Sequence, residues 1–333
     1  MITILFTGGT ISMKLDPATG AAVPALSGAE ILSHVPELSK VAEIEFEEVS
    51  RLPGPHVTPE RMWNLARRAA AWLDRPDVDG LVITHGTDTL EETAYLLDLL
   101  LLSPKPVVMV GAIRTASEPG WDGPANLLAA VRVAADPKSP GRGVLVVMNE
   151  QILTASEVQK VHTESSGSFA SPEFGPVGVI DAGRVRYARM APRPGAWRDP
   201  AADTGLRVAR LESRVDLIKA TSGADDRFLR CSVASEVKGI VLEAMGRGNL
   251  PPPMKPGIAA AVAAGIPVVI SSRYGQGSVQ ERYGYDGGGH DLAKLGVIFS
   301  GRLTGLKARM KLMVALGYST SDAELRRIFE ESE

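Results

Sequence analysis

The sequence has few of the residues that cross-link a chain or anchor it in a membrane. Its 333 residues include one cysteine, Cys231, so an intrachain disulfide is excluded. No apolar run approaches the roughly 20 residues of a membrane-spanning helix. The apolar start of the chain ends after Phe6, short of the about 7–15 residues of a secretory signal core. These absences predict a cytoplasmic protein without a membrane partner, and they predict that Cys231 is a buried apolar side chain.

A strong charge of either sign is also absent. The net charge is −3 and charged residues make up 23% of the chain, so neither nucleic acid nor an anionic membrane is predicted as a partner. The hydrophobic content of 44% is normal for a folded protein. A chain of 333 residues can build one large domain or two ordinary ones.

The first half of the chain alternates apolar runs with helical patterns. The predicted strands are Ile2–Phe6, Ala42–Val49, Gly80–Thr84, Pro106–Gly111 and Gly143–Met148. The predicted helices are Ser27–Val35, a helix from Thr58 to about Asp74, Asp88–Leu101 and Gly123–Ala135. Near-continuous Val-rich strands that alternate with helices indicate an α/β fold with a parallel sheet buried on both faces.

Prolines, glycines and polar residues crowd the segment Met190–Gly205, which predicts a linker. We therefore predict an N-terminal α/β domain over 1–189, a linker over 190–206 and a smaller C-terminal α/β domain over 207–333. The predicted elements of the smaller domain are Arg207–Leu211, Gly239–Leu242, Ile258–Ala264, Pro267–Ser271, Gly305–Leu316 and Ser321–Glu330. In the helix Gly305–Leu316, Lys307 and Lys311 are predicted to lie opposite the apolar face.

Two threonine–glycine stretches follow predicted strands. Thr7–Thr10 follows the first strand, and Thr84–Thr89 follows the strand that begins at Gly80. Ligands of open parallel sheets bind outside the carboxyl ends of the strands. This placement brings the hydroxyls of Thr10 and Thr87 and the carboxylate of Asp88 towards one cleft.

Each of these residues has a structural and a chemical interpretation. Thr10 is either part of a tight turn or phosphate-binding loop, or a nucleophile that needs a base to remove its proton. Its stretch lacks the spacing of dinucleotide sites and of P-loops. No cofactor and no metal is predicted for the chain. Asp88 or Thr89 is expected to cap the following helix, while Thr87 and Asp88 can also position water and bind a substrate ammonium.

Two further side chains are candidate bases. His85 lies in the same stretch as Thr87, but at a buried corner we expect a structural role for it. Lys160 follows the strand that ends at Met148, and it is either an ordinary surface lysine or, in a dry cleft beside Thr87, a base.

These stretches resemble the two signature segments of the bacterial-type L-asparaginases. The segments are Thr7-Gly8-Gly9-Thr10-Ile11 and His85-Gly86-Thr87-Asp88-Thr89 with Glu91-Glu92-Thr93. The likeness continues through Val108–Ala112, Asp122–Pro124, Gly143–Asn149, Lys160–Thr163 and Gly248–Leu250, and it covers nearly the whole chain.

The resemblance implies hydrolysis of a small-molecule amide, the side-chain amide of asparagine and often also of glutamine, to the acid and ammonia through an acyl-enzyme on a threonine. It implies that Thr10 is the nucleophile, and that Lys160 tunes Thr87. Asp88 would hold the substrate ammonium.

The resemblance also implies supporting roles for backbone groups and for a second subunit. Gly86 would line the substrate site, and the carbonyl of Ala112 would accept from the leaving ammonia. Asn249 resembles a residue that reaches the active site of a neighbouring subunit, so a homodimer or a homotetramer is expected.

Three departures from the family pattern affect substrate recognition. The loop Ser12–Leu26 lacks the usual tyrosine, for which Tyr283 and Tyr285 are possible substitutes. Gly54-Pro55-His56 stands where many members have a serine–glutamine pair, so His56 is the candidate for contacting the substrate carboxylate. The acidic residue usually donated by the neighbouring subunit has no clear counterpart in this sequence, and Glu281 and Asp286 are the candidates for it.

Two other functions remain open at this stage. The asparaginase-like subunit of a transfer-RNA amidotransferase shares both motifs but carries an extra N-terminal domain, which is not expected here because the first strand begins at Ile2. A non-catalytic module could bind an amino acid or nucleotide at the same glycines; the missing tyrosine favours it, and the intact Thr10, Thr87, Asp88 and Lys160 argue against it.

Overall fold

The computed structural model describes residues 1–193, 197–203 and 205–330, and these residues form two compact units. The first unit contains residues 1–193 with 205–206, and the second contains 197–203 with 207–330. Residues 194–196 and 204, inside the predicted linker, and residues 331–333, at the end of the predicted second domain, lie outside the described part. The domain boundaries given above therefore stay a prediction.

The first unit is an α/β unit. Its strands are β1 (Ile2–Gly8), β2 (Met13–Leu15), β3 (Ala22–Pro24), β4 (Ile44–Leu52), β5 (Gly80–Thr84), β6 (Val107–Val110), β7 (Val144–Met148), β8 (Gln151–Thr154), β9 (Gln159–Lys160), β10 (Phe169–Ala170), β11 (Gly178–Asp181) and β12 (Arg184–Tyr187). Its helices are α1 (Gly28–Ser33), α2 (Pro59–Leu73), α3 (Leu90–Leu100) and α4 (Gly123–Ala135). The predicted strands and helices of the first half are thus confirmed, with small shifts at their ends.

The main sheet has the order β12-β11-β8-β7-β6-β5-β1-β4. Strands β7, β6, β5, β1 and β4 are parallel, whereas β8, β11 and β12 add an antiparallel edge that was not predicted. Every residue of β1, β5, β6 and β7 is buried, which explains their continuous apolar runs. The chain places β4 on one side of β1 and β5 on the other, so the strand order reverses at β1.

Two helices, α1 and α2, begin at the cap residues that the sequence predicts. Ser27 accepts from the amide of Glu30, whose carboxylate accepts from the amide of Ser27, and this capping box begins α1. Thr58 caps α2, with Pro59 at its first position. The predicted side-chain cap of α3 is wrong: Thr89 occupies the cap position, but its hydroxyl donates to the carbonyl of Gly54 instead.

The second unit is built on one parallel sheet. Its strands, in the order β13-β14-β15-β16, are β13 (Val215–Lys219), β14 (Gly239–Ala244), β15 (Val268–Ser272) and β16 (Ile298–Thr304). Its helices are α5 (Arg227–Ala234), α6 (Lys255–Ala263), α7 (Gly289–Ala293), α8 (Gly305–Tyr318) and α9 (Asp322–Glu330). Apolar side chains of the sheet and of α5 and α6 form its buried core. Among the described residues, none of the helices is both long enough and apolar enough to cross a bilayer.

Three predictions for the second unit are wrong. Arg207–Leu211 forms no strand, because buried Arg207 donates to the carbonyl of Trp197 and stacks on its ring, while the sheet begins at β13. Lys307 and Lys311 are buried rather than opposite the core; α9 packs on α8, and the Lys311 ammonium lies 4.6 Å from the ring centre of Phe329. Cys231 is exposed, since α5 turns Leu229 and Ser232 inwards instead.

Candidate active site

The loops that follow β1 and β5 meet at the point where the strand order reverses. This is the position at which open α/β sheets bind their ligands. Gly9 has a φ of +87°, and a Cβ atom there would lie 2.5 Å from the amide nitrogen of Gly86. Since Gly9 has no room for a side chain, the two backbones touch directly. Thr10 and Thr87 each follow one of these glycines, so the fold brings together the two stretches that the sequence singles out.

The loop after β4 closes the same end of the sheet. A Cβ atom on Gly86 would lie 2.6 Å from the Cα atom of Gly54. The hydroxyl of Thr89 donates to the carbonyl of Gly54 over 2.9 Å. A short 3-10 turn, Gly54–His56, follows, and it leaves the His56 side chain exposed. The turn around Gly54 was not identified as structural support from the sequence, although Pro53-Gly54, just after β4, is a typical turn signal.

Lys160 joins Thr87 and Asp88 in one cluster. Its ammonium donates to Thr87 Oγ1 over 3.0 Å and to Asp88 Oδ1 over 2.6 Å. Thr87 is buried, whereas the Lys160 and Asp88 side chains are 18% and 57% exposed. The three groups thus run from the interior to the surface of the unit. The interpretation of Lys160 as an ordinary surface lysine is therefore wrong. Its side chain is mostly buried, and its ammonium pairs with a carboxylate that lies 72 residues away in the sequence.

A short antiparallel pair holds Lys160 in place. Lys160 is the last residue of β9 and lies opposite Phe169 of β10. Its backbone amide is also 3.5 Å from a carboxylate oxygen of Glu91, in the first turn of α3. The backbone of Lys160 is therefore held by strand pairing and by α3, and the position of its ammonium is not set by a loop.

Ala112 is the second residue after β6, and the residue before it, Gly111, lies beside Thr87. A Cβ atom on Gly111 would be 3.1 Å from Thr87 Cγ2. Asp122 accepts from the amides of Ile113 and Arg114, over 3.0 Å and 2.9 Å. In a trans peptide the carbonyl and the amide hydrogen point in opposite directions. Because Asp122 holds the Ile113 amide, it also fixes the direction of the Ala112 carbonyl.

The hydroxyl of Thr10 differs from that of Thr87. Thr10 is half-buried, and its hydroxyl makes no hydrogen bond to any residue in the described ranges. Thr87, in contrast, is held by Lys160. The site therefore offers one hydroxyl open to a substrate and a second that is held by an ammonium, which is an arrangement suited to acyl transfer with a nucleophile and a separate proton-handling group.

His85 lies beneath the site and is fully buried. Its Nδ1 is 2.8 Å from the carbonyl oxygen of Gly86, and its Nε2 is 3.0 Å from Thr93 Oγ1. Burial lowers the pKa of His85 to about 4. A carbonyl can only accept, so the neutral ring donates from Nδ1 and accepts at Nε2 from the hydroxyl of Thr93. Both nitrogens are thus engaged inside the fold, which fits the structural role expected for this residue.

The other candidates belong to the second unit. Asn249 pairs with Met245 through both backbone groups, and its Oδ1 is buried without a hydrogen-bond partner in the described part of the chain. Tyr283 and Tyr285 stack on each other, Glu281 contacts His290, and Asp286 pairs with Lys255. The roles of these residues stay predictions. Across the described ranges, no group of three or more His, Cys, Asp or Glu side chains has the geometry of a metal site.

Comparisons with known proteins give matches over nearly the whole chain. The asparaginase N-terminal domain model matches residues 1–193, and the glutaminase/asparaginase C-terminal domain model matches residues 214–329. A probable L-asparaginase of Deinococcus radiodurans is 38% identical over 99% of this chain and 97% of its own length. The crystal structure of a probable cytoplasmic L-asparaginase from Campylobacter jejuni superposes with a TM-score of 0.86 at 32% identity, covering 99% of this chain and 98% of that one.

A relative from the competing class is also similar. One subunit of the glutamyl-tRNA(Gln) amidotransferase of Methanosarcina mazei is 32% identical over 95% of this chain, but the match covers only 74% of that subunit. The two asparaginase relatives named above are matched over nearly their full length. The expected fold, a large unit on a mainly parallel sheet and a smaller α/β unit, is confirmed by the solved relative. The chain belongs to the asparaginase family of amidohydrolases.

Proposed function

We propose that this amidohydrolase converts L-asparagine to L-aspartate and ammonia through an acyl-enzyme on Thr10. The observation that carries the proposal is the cluster of Thr87, Lys160 and Asp88, in which one ammonium bonds both a buried hydroxyl and a carboxylate. Thr10 and Thr87 each directly follow one of the two glycines, Gly9 and Gly86, whose backbones touch, and this close contact supports a shared site for the cluster and the Thr10 hydroxyl. A non-catalytic binding module would need neither the free hydroxyl nor the buried one.

In the first step, Thr10 Oγ1 attacks the side-chain carbonyl carbon of the substrate. A C–O bond forms, the C–N bond breaks, and the hydroxyl proton ends on the nitrogen that leaves as ammonia. Backbone amides beside Thr10 and Thr87 stabilise the negative charge on the carbonyl oxygen, a role that contributes about 3–4 kcal/mol per donor in other enzymes. The Ala112 carbonyl, fixed by Asp122, accepts from the departing ammonia.

In the second step, water attacks the resulting β-aspartyl ester. The C–O bond to Thr10 breaks, the threonine takes up a proton, and L-aspartate leaves with the oxygen of the water. Thr87 orients this water, and Lys160 holds the Thr87 hydroxyl in place from the other side. The cluster therefore assists both the arrival and the deprotonation of the water.

Substrate recognition is assigned to groups at the rim of the site. Asp88 has one oxygen on Lys160, and its other oxygen has no partner in the described ranges, so it can accept from the substrate α-ammonium. Gly86 lines the site, and the exposed ring of His56 replaces the usual polar pair at the α-carboxylate. Asn249 completes the site from a neighbouring subunit, which requires a homodimer or a homotetramer. We place the enzyme in the cytoplasm, because its Campylobacter relative is described as a probable cytoplasmic L-asparaginase.

Ammonia release from asparagine and from glutamine tests the proposal. We expect turnover by the purified chain without tRNA, and a loss of about 100-fold or more in Thr10→Ala, Thr87→Val and Lys160→Met. Lys138→Met, at an exposed lysine, is the matched control and should keep full activity. Ammonia release that persists in Thr10→Ala would remove Thr10 from its role. Release that appears only with aminoacylated tRNA and a partner subunit would favour the amidotransferase.

A further inference from the structure

We infer that His85 is a positioning residue that aims the backbone amide of Thr87 at the reacting carbonyl oxygen. The inference rests on the proposed function, because it assigns that amide to oxyanion stabilisation. It differs from the usual expectation for a histidine in an active-site motif, which is general-base catalysis. The starting observation is the contact of His85 Nδ1 with the carbonyl of Gly86, the residue directly before Thr87.

The peptide between Gly86 and Thr87 transmits the contact. This peptide is planar and trans, so the Gly86 carbonyl and the Thr87 amide hydrogen point in opposite directions. His85 Nδ1 donates to that carbonyl over 2.8 Å from inside the unit. The Thr87 amide hydrogen is consequently directed away from His85, towards the side on which the strand-end loops leave the sheet.

The Thr87 amide is available for a ligand. In the described part of the chain, no backbone or side-chain oxygen accepts from it, although Thr87 is 7% exposed. Amides this well buried are almost always paired. An amide that is fixed in direction, shielded from bulk water and open to the cleft has the properties of an oxyanion donor.

Thr93 fixes the tautomer of the His85 ring, which in turn orients the peptide after Gly86. Its hydroxyl lies 3.0 Å from His85 Nε2, and this nitrogen accepts when the ring is neutral. The bond fixes the proton on Nδ1, where the Gly86 carbonyl needs it. His85 cannot reach a substrate, because it is fully buried and both nitrogens are occupied. Its effect on the reaction must therefore pass through the peptide after Gly86.

Two substitutions separate this role from general-base catalysis. The amide nitrogen of asparagine takes the place of Nδ1, and that of glutamine takes the place of Nε2. His85→Asn should keep the bond to Gly86, with kcat within about 10-fold of the original enzyme. His85→Gln can reach Thr93 but not Gly86, so kcat should fall by about 100-fold, the effect of losing one oxyanion donor. KM should change only a few-fold in both, because the amide acts on charge that develops in the transition state.

The outcomes separate the inference from the proposed function. Equal losses of kcat in both variants would overturn the positioning role, and so would unchanged turnover in His85→Gln. If the original chain hydrolyses neither amide, the proposed function fails by itself. Crystal structures of the two variants then decide whether His85 orients the peptide: we expect the 86–87 peptide to keep its orientation in His85→Asn and to rotate in His85→Gln. The same orientation in both would refute the inference.

Discussion

Protonation of His85 at acid pH should lower the free energy of unfolding more than protonation of an exposed histidine would. Burial lowers the pKa of His85 from 6.5 to about 4. Between these values the unfolded chain binds a proton at this position and the folded chain does not, so the free energy of unfolding falls as the pH falls. Each pH unit in this window is worth about 1.4 kcal/mol. Between pH 7 and pH 5, His85 should therefore account for a loss of about 2 kcal/mol.

Urea unfolding at fixed protein concentration measures this loss. Other groups also respond to acid, since hydrogen bonds to Ser27 and to Arg227 lower the pKa of Glu30 and of Asp225. Comparison with His85→Asn removes the contribution of these other groups, because the variant retains them and lacks only the titrating ring of His85. The original chain should lose about 2 kcal/mol more than His85→Asn between pH 7 and pH 5, and the two should follow the same slope between pH 7 and pH 8. Equal losses below pH 7 would show that His85 takes up its proton in the folded state and would refute the burial argument.

Three other substitutions follow from the contacts described above. Gly86→Ala places a Cβ atom 2.6 Å from the backbone of Gly54, so it should lower the free energy of unfolding by about 1–3 kcal/mol and reduce ammonia release. Gly284→Ala is the control, because a Cβ atom there meets nothing within 4 Å. Equal thermal unfolding of the two variants would contradict the close contact at Gly86. Ser27→Ala removes the capping box of α1 and should cost about 1 kcal/mol in urea unfolding, with unchanged activity; no measurable cost would show that the box is dispensable. Asp122→Ala leaves the Ile113 amide without its acceptor and should reduce kcat by at least about 10-fold in the ammonia assay, and full activity would remove Asp122 from the support of the site.

The parallel part of the main sheet could be predicted because its strands are buried on both faces. β5 and β7 are short apolar runs rich in branched side chains, and each is buried along its whole length. β11 and β12 lack this signal, since exposed residues alternate with buried ones in β11 and with half-buried ones in β12. β13 was missed for a similar reason, because a half-exposed edge strand resembles a loop in composition.

The candidate site was predictable in part. That Thr10 and Thr87 belong to one end of the sheet follows from their places after strands. The pairing of Lys160 with Asp88 depends on the path of the chain after β7, where β8 pairs antiparallel with β7 and β9 pairs antiparallel with β10. No local sequence pattern indicates this path. The residues alone left Lys160 as either a surface lysine or a base beside Thr87. The family resemblance favoured the second alternative, and the position of Lys160 in β9 is consistent with it. The burial of Lys307 was not foreseen, because a helical pattern cannot show which side a later helix will cover.

The contact between Gly9 and Gly86 has a consequence for the range of substrates. The width between the two strand ends is set by main-chain atoms in van der Waals contact, so no change of side-chain rotamer can adjust it. The two loops can separate only if β1 and β5, which are both buried along their whole length, move apart. Selection for a longer or shorter amide must therefore act on the segments around this rigid contact, while the distance between the two backbones stays constant.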